Sequence, residues 1–207
     1  MKKILTLAFA AAFAVSAFAQ DQTIKLPAPS VKGGLSIMET LRNRQSIREY
    51  SSKKLKLQDL SNLCWAAIGI NRPESSKLTA PTAMNKQEVT LYYIDHKGAY
   101  IYNAKSNALE LVSKGNHYDL VVAKQDFVKD APAVLVIVSN TSVFDQTSSL
   151  YAYTDAGMVS QNISLFCAGH KMATVPRGMM DRDGLSRVLH LRSGEVPVLN
   201  HPVGYLK

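Results

Sequence analysis

Ala133-Val134-Leu135-Val136-Ile137-Val138 has apolar side chains at both odd and even positions. In a strand, alternate side chains point to opposite faces, so this run has no face to offer to water and must lie inside a sheet that is covered above and below. A chain built around such a strand needs helices to supply both coverings.

The rest of the chain supplies them. Leu60, Leu63, Cys64, Ala67 and Ile68 recur at helical spacing before Gly69, and Ala152, Ala156, Val159, Ile163, Phe166 and Cys167 form one stripe of a long helix that stops near Gly169. Leu35, Met38 and Leu41 mark a shorter helix. Val89 to Ile94 and Ala99 to Asn103 are rich in β-branched and aromatic residues around Asp95-His96-Lys97-Gly98, a hairpin signal, and Leu109 to Val112 suggests a third strand. Asn71 to Lys77 reads as a polar loop. Short helical pieces are expected over Tyr118 to Lys124 and Gln125 to Lys129, and Met172 to Val175, a helix near Leu185 to Leu191 and a closing strand near Val198 to Leu206 complete the pattern. Strands and helices are interspersed without strict βαβ alternation. The fold class is therefore α+β, a mixed, largely antiparallel sheet flanked by helices.

The first residues do not belong to that fold. Lys2 and Lys3 precede a run from Ile4 to Val15 that is almost wholly apolar, and Ala17-Phe18-Ala19 before Gln20 is a signal-peptidase pattern, so residues 1–19 read as a cleavable signal peptide and the protein as periplasmic or otherwise exported. The run is short for a bilayer span, and no stable membrane anchor is expected. Residues 20–34, polar with Pro and Gly, read as an N-terminal arm or linker, leaving 35–207 as one domain. Formal charge is +8, or +6 without Lys2 and Lys3, which favours anionic ligands. Basic residues are scattered and no nucleic-acid module is present, so nucleic acid is not an expected partner. Cys64 and Cys167 lie among apolar residues, which favours two buried thiols over the disulfide that an oxidising compartment permits.

Arg44-Gln45-Ser46-Ile47-Arg48 places two guanidiniums and a hydroxyl within five residues. An Arg fork donates bidentately to phosphate oxygens and a Ser hydroxyl adds a contact, so Arg44 and Ser46 suit a phosphate. Arg48 could reach the N1 and O2 edge of a flavin, where a cation favours the reduced ring. The plainer reading is a solvated basic end to a helix. His96, His117, His170, His190 and His201 lack ligand spacing with Cys, Asp or Glu, so no metal site is expected. There is no Gly-x-Ser-x-Gly elbow and no Gly-rich phosphate loop.

Later motifs decide between these readings. Arg44-x-Ser46-x-Arg48 resembles the Arg-x-Ser-x-Arg/Lys motif of the nitroreductase family, in which the first Arg and the Ser hold the phosphate of flavin mononucleotide (FMN) and the last basic residue holds the ring. Trp65-Ala66-Ala67-Ile68-Gly69 is similar to the end of the family's next helix. Pro81-Thr82-Ala83-Met84-Asn85-Lys86-Gln87 resembles its Pro-Ser-Ala/Ser-x-Asn-x-Gln segment, which lies against the flavin and often crosses a dimer interface; the resemblance implies cofactor contacts by Pro81, Thr82, Ala83, Asn85 and Gln87. Asp155-Ala156-Gly157 is similar to the opening of the family's dimer-packing helix, with a packing role.

Val175-Pro176-Arg177-Gly178-Met179-Met180-Asp181 resembles the family's Pro-x-x-Gly-x-Asp turn, whose backbone N–H points at flavin N5. Met179 stands where many members have Gly, so the donor is the amide of Gly178 or of Met179; Val175, Pro176 and Arg177 complete the implied cofactor wall. The closing Pro202-Val203-Gly204 is similar to the family's last strand, where a basic segment touches the phosphate; only Lys207 is left for that part.

The resemblance spans roughly residues 36 to 207 and implies an exported FMN-dependent oxidoreductase, a homodimer with two flavins at its interface, moving a hydride through N5 to or from a small organic substrate such as a nitroaromatic or quinone. Ping-pong turnover follows from that scheme. Reduced nicotinamide is the family's usual donor and is scarce outside the cytoplasm, and ring oxidation in a peptide is the reverse reaction known in the family. The alternative is a flavin-binding carrier or partner-binding protein without turnover.

Overall fold

The computed structural model describes residues 23–207, so the signal-peptide expectation for residues 1–19 lies outside the described residues. Seven strands form one sheet in the order β1-β6-β5-β4-β7-β9-β8. These are β1 (Thr23–Lys25), β4 (Val89–Asp95), β5 (Gly98–Asn103), β6 (Ala108–Lys114), β7 (Ala133–Asn140), β8 (Met172–Thr174) and β9 (Glu195–Tyr205). Every neighbouring pair is antiparallel.

The apolar run is the middle of that sheet. β7 pairs with β4 on one side and β9 on the other, and its side chains split by parity. Ala133, Leu135 and Ile137 join one buried cluster, Val134, Val136 and Val138 the other. The first cluster is closed by α2 (Leu57–Ile68) and α4 (Leu150–Gly169) through Leu63, Cys64, Val159 and Ile163. The second is closed by α3 (Tyr118–Val122) and α5 (Arg182–Val188) through Val121 and Leu185. Burying a Val, Leu or Ile side chain contributes about 1.5–3 kcal/mol, so these two layers hold the sheet.

A short helix, α1 (Ile37–Asn43), lies across α4. Its start is a capping box, with Ser36 Oγ accepting the Glu39 amide and the Ser36 amide donating to Glu39 Oε2 at 3.0 Å. Thr40 is buried against Gly169, where a Cβ would sit 3.0 Å from Thr40 Oγ1, so glycine there sets the close approach. Ile37, Met38 and Leu41 on α1 are exposed, as are Leu150, Tyr151, Tyr153 and Met158 on α4.

Four boundaries differ from expectation. Residues 23–25 form the edge strand β1 instead of a free arm, and the following segment is stitched down by Ser61 Oγ and Asn107 Nδ2, both donating to Pro27 O. The polar stretch 71–77 folds as a small hairpin of β2 (Ile70–Arg72) and β3 (Lys77–Leu78). α5 begins at Arg182, three residues before the expected start, because Asp181 caps it by accepting the Gly184 amide. β9 starts at Glu195, its polar first half paired to β7. No helix among the described residues is long and apolar enough to cross a membrane.

Candidate flavin-binding site

Arg44 is the C-cap of α1, and beyond it the chain turns into an extended segment held by the Ile47 amide donating to Thr174 O at 2.9 Å. That bond sets Arg44-x-Ser46-x-Arg48 beside the end of β8, where Val175-Pro176-Arg177-Gly178 begins. The two segments also meet at Phe127, with Arg48 and Arg177 centred 5.9 Å and 5.6 Å from its ring. Two regions about 130 residues apart in the chain are thus brought side by side in a single protomer.

The donors of this site are uncommitted. Among the described residues the side chains of Arg44, Ser46 and Arg48 make no hydrogen bond or ion pair to protein, and neither the Gly178 nor the Met179 amide meets a protein acceptor. Gly178 and Met179 are exposed, and the space beside Gly178 is open, with Arg182 Nη2 at 3.9 Å the nearest atom to a Cβ built there. Free cationic forks at one end and free amides at the other are the donor set that FMN requires.

Arg177 does something different from the wall position expected of it. It is buried, and its guanidinium is taken up: Nε donates to Gln125 Oε1 at 2.6 Å, Nη1 to Val121 O and Asn200 Oδ1, and Nη2 to Val122 O. Its amide and carbonyl pair with Asn200. Arg177 therefore fastens the turn to the C-terminal carbonyls of α3, where the helix dipole favours a cation. Burial among these partners lowers its pKa. Lys207 is exposed beyond β9, and the neighbouring Tyr205 carbonyl accepts the Ser51 amide.

The Pro81–Gln87 segment is held against α4. Met84, Asn85 and Gln87 adopt left-handed φ of 52°, 53° and 50°, a conformation that costs of order 1–2 kcal/mol per residue and clusters at functional loops. The loop holds itself by the Gln87 amide donating to Thr82 Oγ1 and Gln87 Nε2 to Ser76 O, and it is tied to α4 by the Ala83 amide donating to Asp155 Oδ2 at 2.7 Å. Ser160, five residues along α4 from Asp155, meets His201, which leads through Thr174 to the Ile47 amide. A cavity of about 390 Å³ adjoins the loop at Gln87, floored by Ile68, Leu78, Val89 and Leu91.

Three further buried polar residues were not expected to line the site. His201 is fully buried between Ser160 and Thr174, and burial pushes its pKa down to about 3. Asp155, read from the sequence for packing alone, is a loop anchor; a carboxylate within the small-residue stripe of α4 was the available signal. Glu88 is buried beside Asp155, and burial, with Asp155 next to it, raises its pKa to about 7. No group of three His, Cys, Asp or Glu converges among the described residues, and Cys64 and Cys167 are unpaired and buried.

Residues 41–205 match the family model described as the nitroreductase family. MJ1384 of Methanocaldococcus jannaschii, provisionally named a nitroreductase, is 27% identical over 195 residues, covering 88% of this chain and 96% of its own. The crystal structure of a provisional nitroreductase from Ralstonia eutropha JMP134 superposes with a TM-score of 0.81 at 30% identity, over 90% of both chains. One from Anabaena variabilis gives 0.72 at 19% identity, over 89% of this chain and 41% of that longer one. With the motifs in order along a fold of this kind, the chain belongs to the nitroreductase family of oxidoreductases.

Proposed function

We propose that the protein is an exported, homodimeric, FMN-dependent oxidoreductase that transfers a hydride to or from a small organic molecule, a nitroaromatic, quinone or similar acceptor. The observation that carries this reading is the convergence of unused donors: Arg44, Ser46 and Arg48 on one side, the Gly178 and Met179 amides on the other, joined by the Ile47–Thr174 bond. Arg44 and Ser46 would hold the phosphate, Arg48 the N1 and O2 edge, and one of the two amides would donate to N5. Bound FMN supplies two-electron hydride chemistry. Met179, exposed beside the amides, would narrow the substrate face.

The dimer supplies the third wall. The exposed apolar residues of α1 and α4 give a second copy a surface to cover. Loop 81–87 of one protomer would then reach the flavin of the other. Export is supported by the signal pattern in residues 1–19.

The test is reconstitution of protein lacking residues 1–19 with FMN, followed by chemical reduction and mixing with a quinone or nitroaromatic. A retained flavin spectrum and acceptor-accelerated reoxidation are expected. Retained flavin without acceleration would leave the carrier reading, and failure to retain flavin would overturn both.

A further inference from the structure

The turn into β4 buries an acid that the flavin site does not use. Glu88 is 7% exposed and Asp155 5% exposed, and the two face each other across the junction of the Pro81–Gln87 loop with α4. The Glu88 carbonyl accepts the Asn140 amide, so its backbone continues the β4–β7 ladder and cannot swing outward. Neither carboxyl oxygen of Glu88 has a hydrogen-bond partner, and the fully buried Ser139 Oγ beside it has none either.

Two ionised carboxylates in this interior would repel each other with no compensating cation. Asp155, from α4, is the one charged group bearing on Glu88 among the described residues; β7 contributes the uncharged Ser139, and Lys86, on the loop itself, is exposed. Asp155 is already engaged as an acceptor, holding the Ala83 amide. Apart from the Ser139 hydroxyl, which can donate to one Glu88 oxygen, the pair lacks a donor. A proton on Glu88 provides one, satisfying an orphaned oxygen and leaving Asp155 free to keep its grip on Ala83.

We propose that Glu88 carries a proton shared with Asp155, and that this proton is the latch that keeps the Pro81–Gln87 loop in the shape it presents to the flavin. The inference rests on the flavin reading above. Glu88 acts here as a positioning residue, through Asp155 and the loop. Losing the proton places two negative charges behind the loop, loosens its three left-handed residues, and weakens flavin binding.

The test is FMN titration, read by flavin fluorescence at about pH 6 and about pH 8.5, on wild type, Glu88→Gln and Asp155→Asn. Wild type should lose about tenfold in affinity as Glu88 deprotonates, since each pH unit above a required group's pKa costs up to tenfold. The phosphate of FMN titrates near pH 6 and adds its own slope, so the difference between wild type and variants decides. In Glu88→Gln an amide N–H replaces the carboxyl O–H, and in Asp155→Asn the amide donates to an ionised Glu88. Both should hold wild type's low-pH affinity and show a flatter profile. A slope in Glu88→Gln equal to wild type's overturns the proposal. Thermal unfolding of the apoproteins gives a second readout: between about pH 4.5 and about pH 7 wild type should lose stability relative to Glu88→Gln, and parallel curves sink the latch. Failure of wild type to bind FMN at either pH would instead overturn the flavin reading, with the apoprotein curves still deciding the proton.

Discussion

Ser160 Oγ and His201 Nε2 lie 2.7 Å apart in the interior of the protein, and this contact joins the long helix α4 to the strand β9. The proton positions follow from the neighbours. Thr174 Oγ1 donates to Pro202 O, so it can only accept from His201 Nδ1, and Nε2 is left to accept from Ser160. Thr174 in turn gives its carbonyl to the Ile47 amide. A neutral imidazole thus ties α4 to the segment carrying Arg44 and Arg48.

Acid should break this tie. His201 has its pKa lowered from 6.5 to about 3, so the unfolded chain takes up a proton that the folded chain refuses. Stability is fully present above about pH 6.5 and falls as the pH drops toward 3, by an amount on the order of a few kcal/mol. Thermal melts across that window should show a steeper acid limb for wild type than for His201→Gln; parallel limbs would contradict the assignment.

Arg177→Ala should act on folding rather than on ligand binding. The truncation strands Val121 O, Val122 O, Asn200 Oδ1 and Gln125, and a cost of about 3 kcal/mol or more is expected. Urea unfolding reads it. A variant of wild-type stability with lost flavin affinity would return Arg177 to the cofactor wall.

Asp155→Ala removes the acceptor of the Ala83 amide, a bond to a charged group worth about 1.5–3 kcal/mol. Hydrogen exchange at Ala83 should quicken well beyond that in β7. Unchanged exchange there would mean the loop is held by its own bonds through Thr82 and Gln87.

Cys64 and Cys167 should resist thiol reagents until the protein unfolds, because burial pushes the Cys64 thiol up to about 12 and the Cys167 thiol higher still. Reductant should leave the melting temperature unchanged. Fast labelling of the native protein would show that the α2–α4 layer opens.

The sheet was legible from Ala133–Val138 because a strand with two apolar faces has one place to be, and the α2 and α4 stripes were legible because helical spacing records the buried face directly. Boundaries set by single polar contacts were not: the start of α5 depends on the Asp181 cap, and β1 depends on pairing with β6 far along the chain. Within the site, Arg44, Ser46 and Arg48 stood out because they sit together in sequence. The anchoring of Arg177 was not legible, because a buried guanidinium and a ligand-facing one look alike until its partners, drawn from residues 121–125 and Asn200, are known. His201 and Glu88 gave little warning, since what distinguishes them is burial beside distant polar side chains.

Arg48→Ala should leave FMN bound and lower its reduction potential by some tens of millivolts, since about 30 mV corresponds to 1.4 kcal/mol for two electrons. Spectroelectrochemical titration measures it, and an unchanged potential would remove Arg48 from the N1 and O2 edge.

The central claim is that Arg44 and Ser46 hold a phosphate beside the Val175–Met179 turn. Titration of wild type and Arg44→Ala with FMN and with riboflavin, which lacks the phosphate, tests this directly. Wild type should bind FMN well, Arg44→Ala should bind it about tenfold or more weakly, as for one lost charge-assisted bond, and riboflavin should bind both equally. Equal FMN affinity in the two proteins would contradict the assignment.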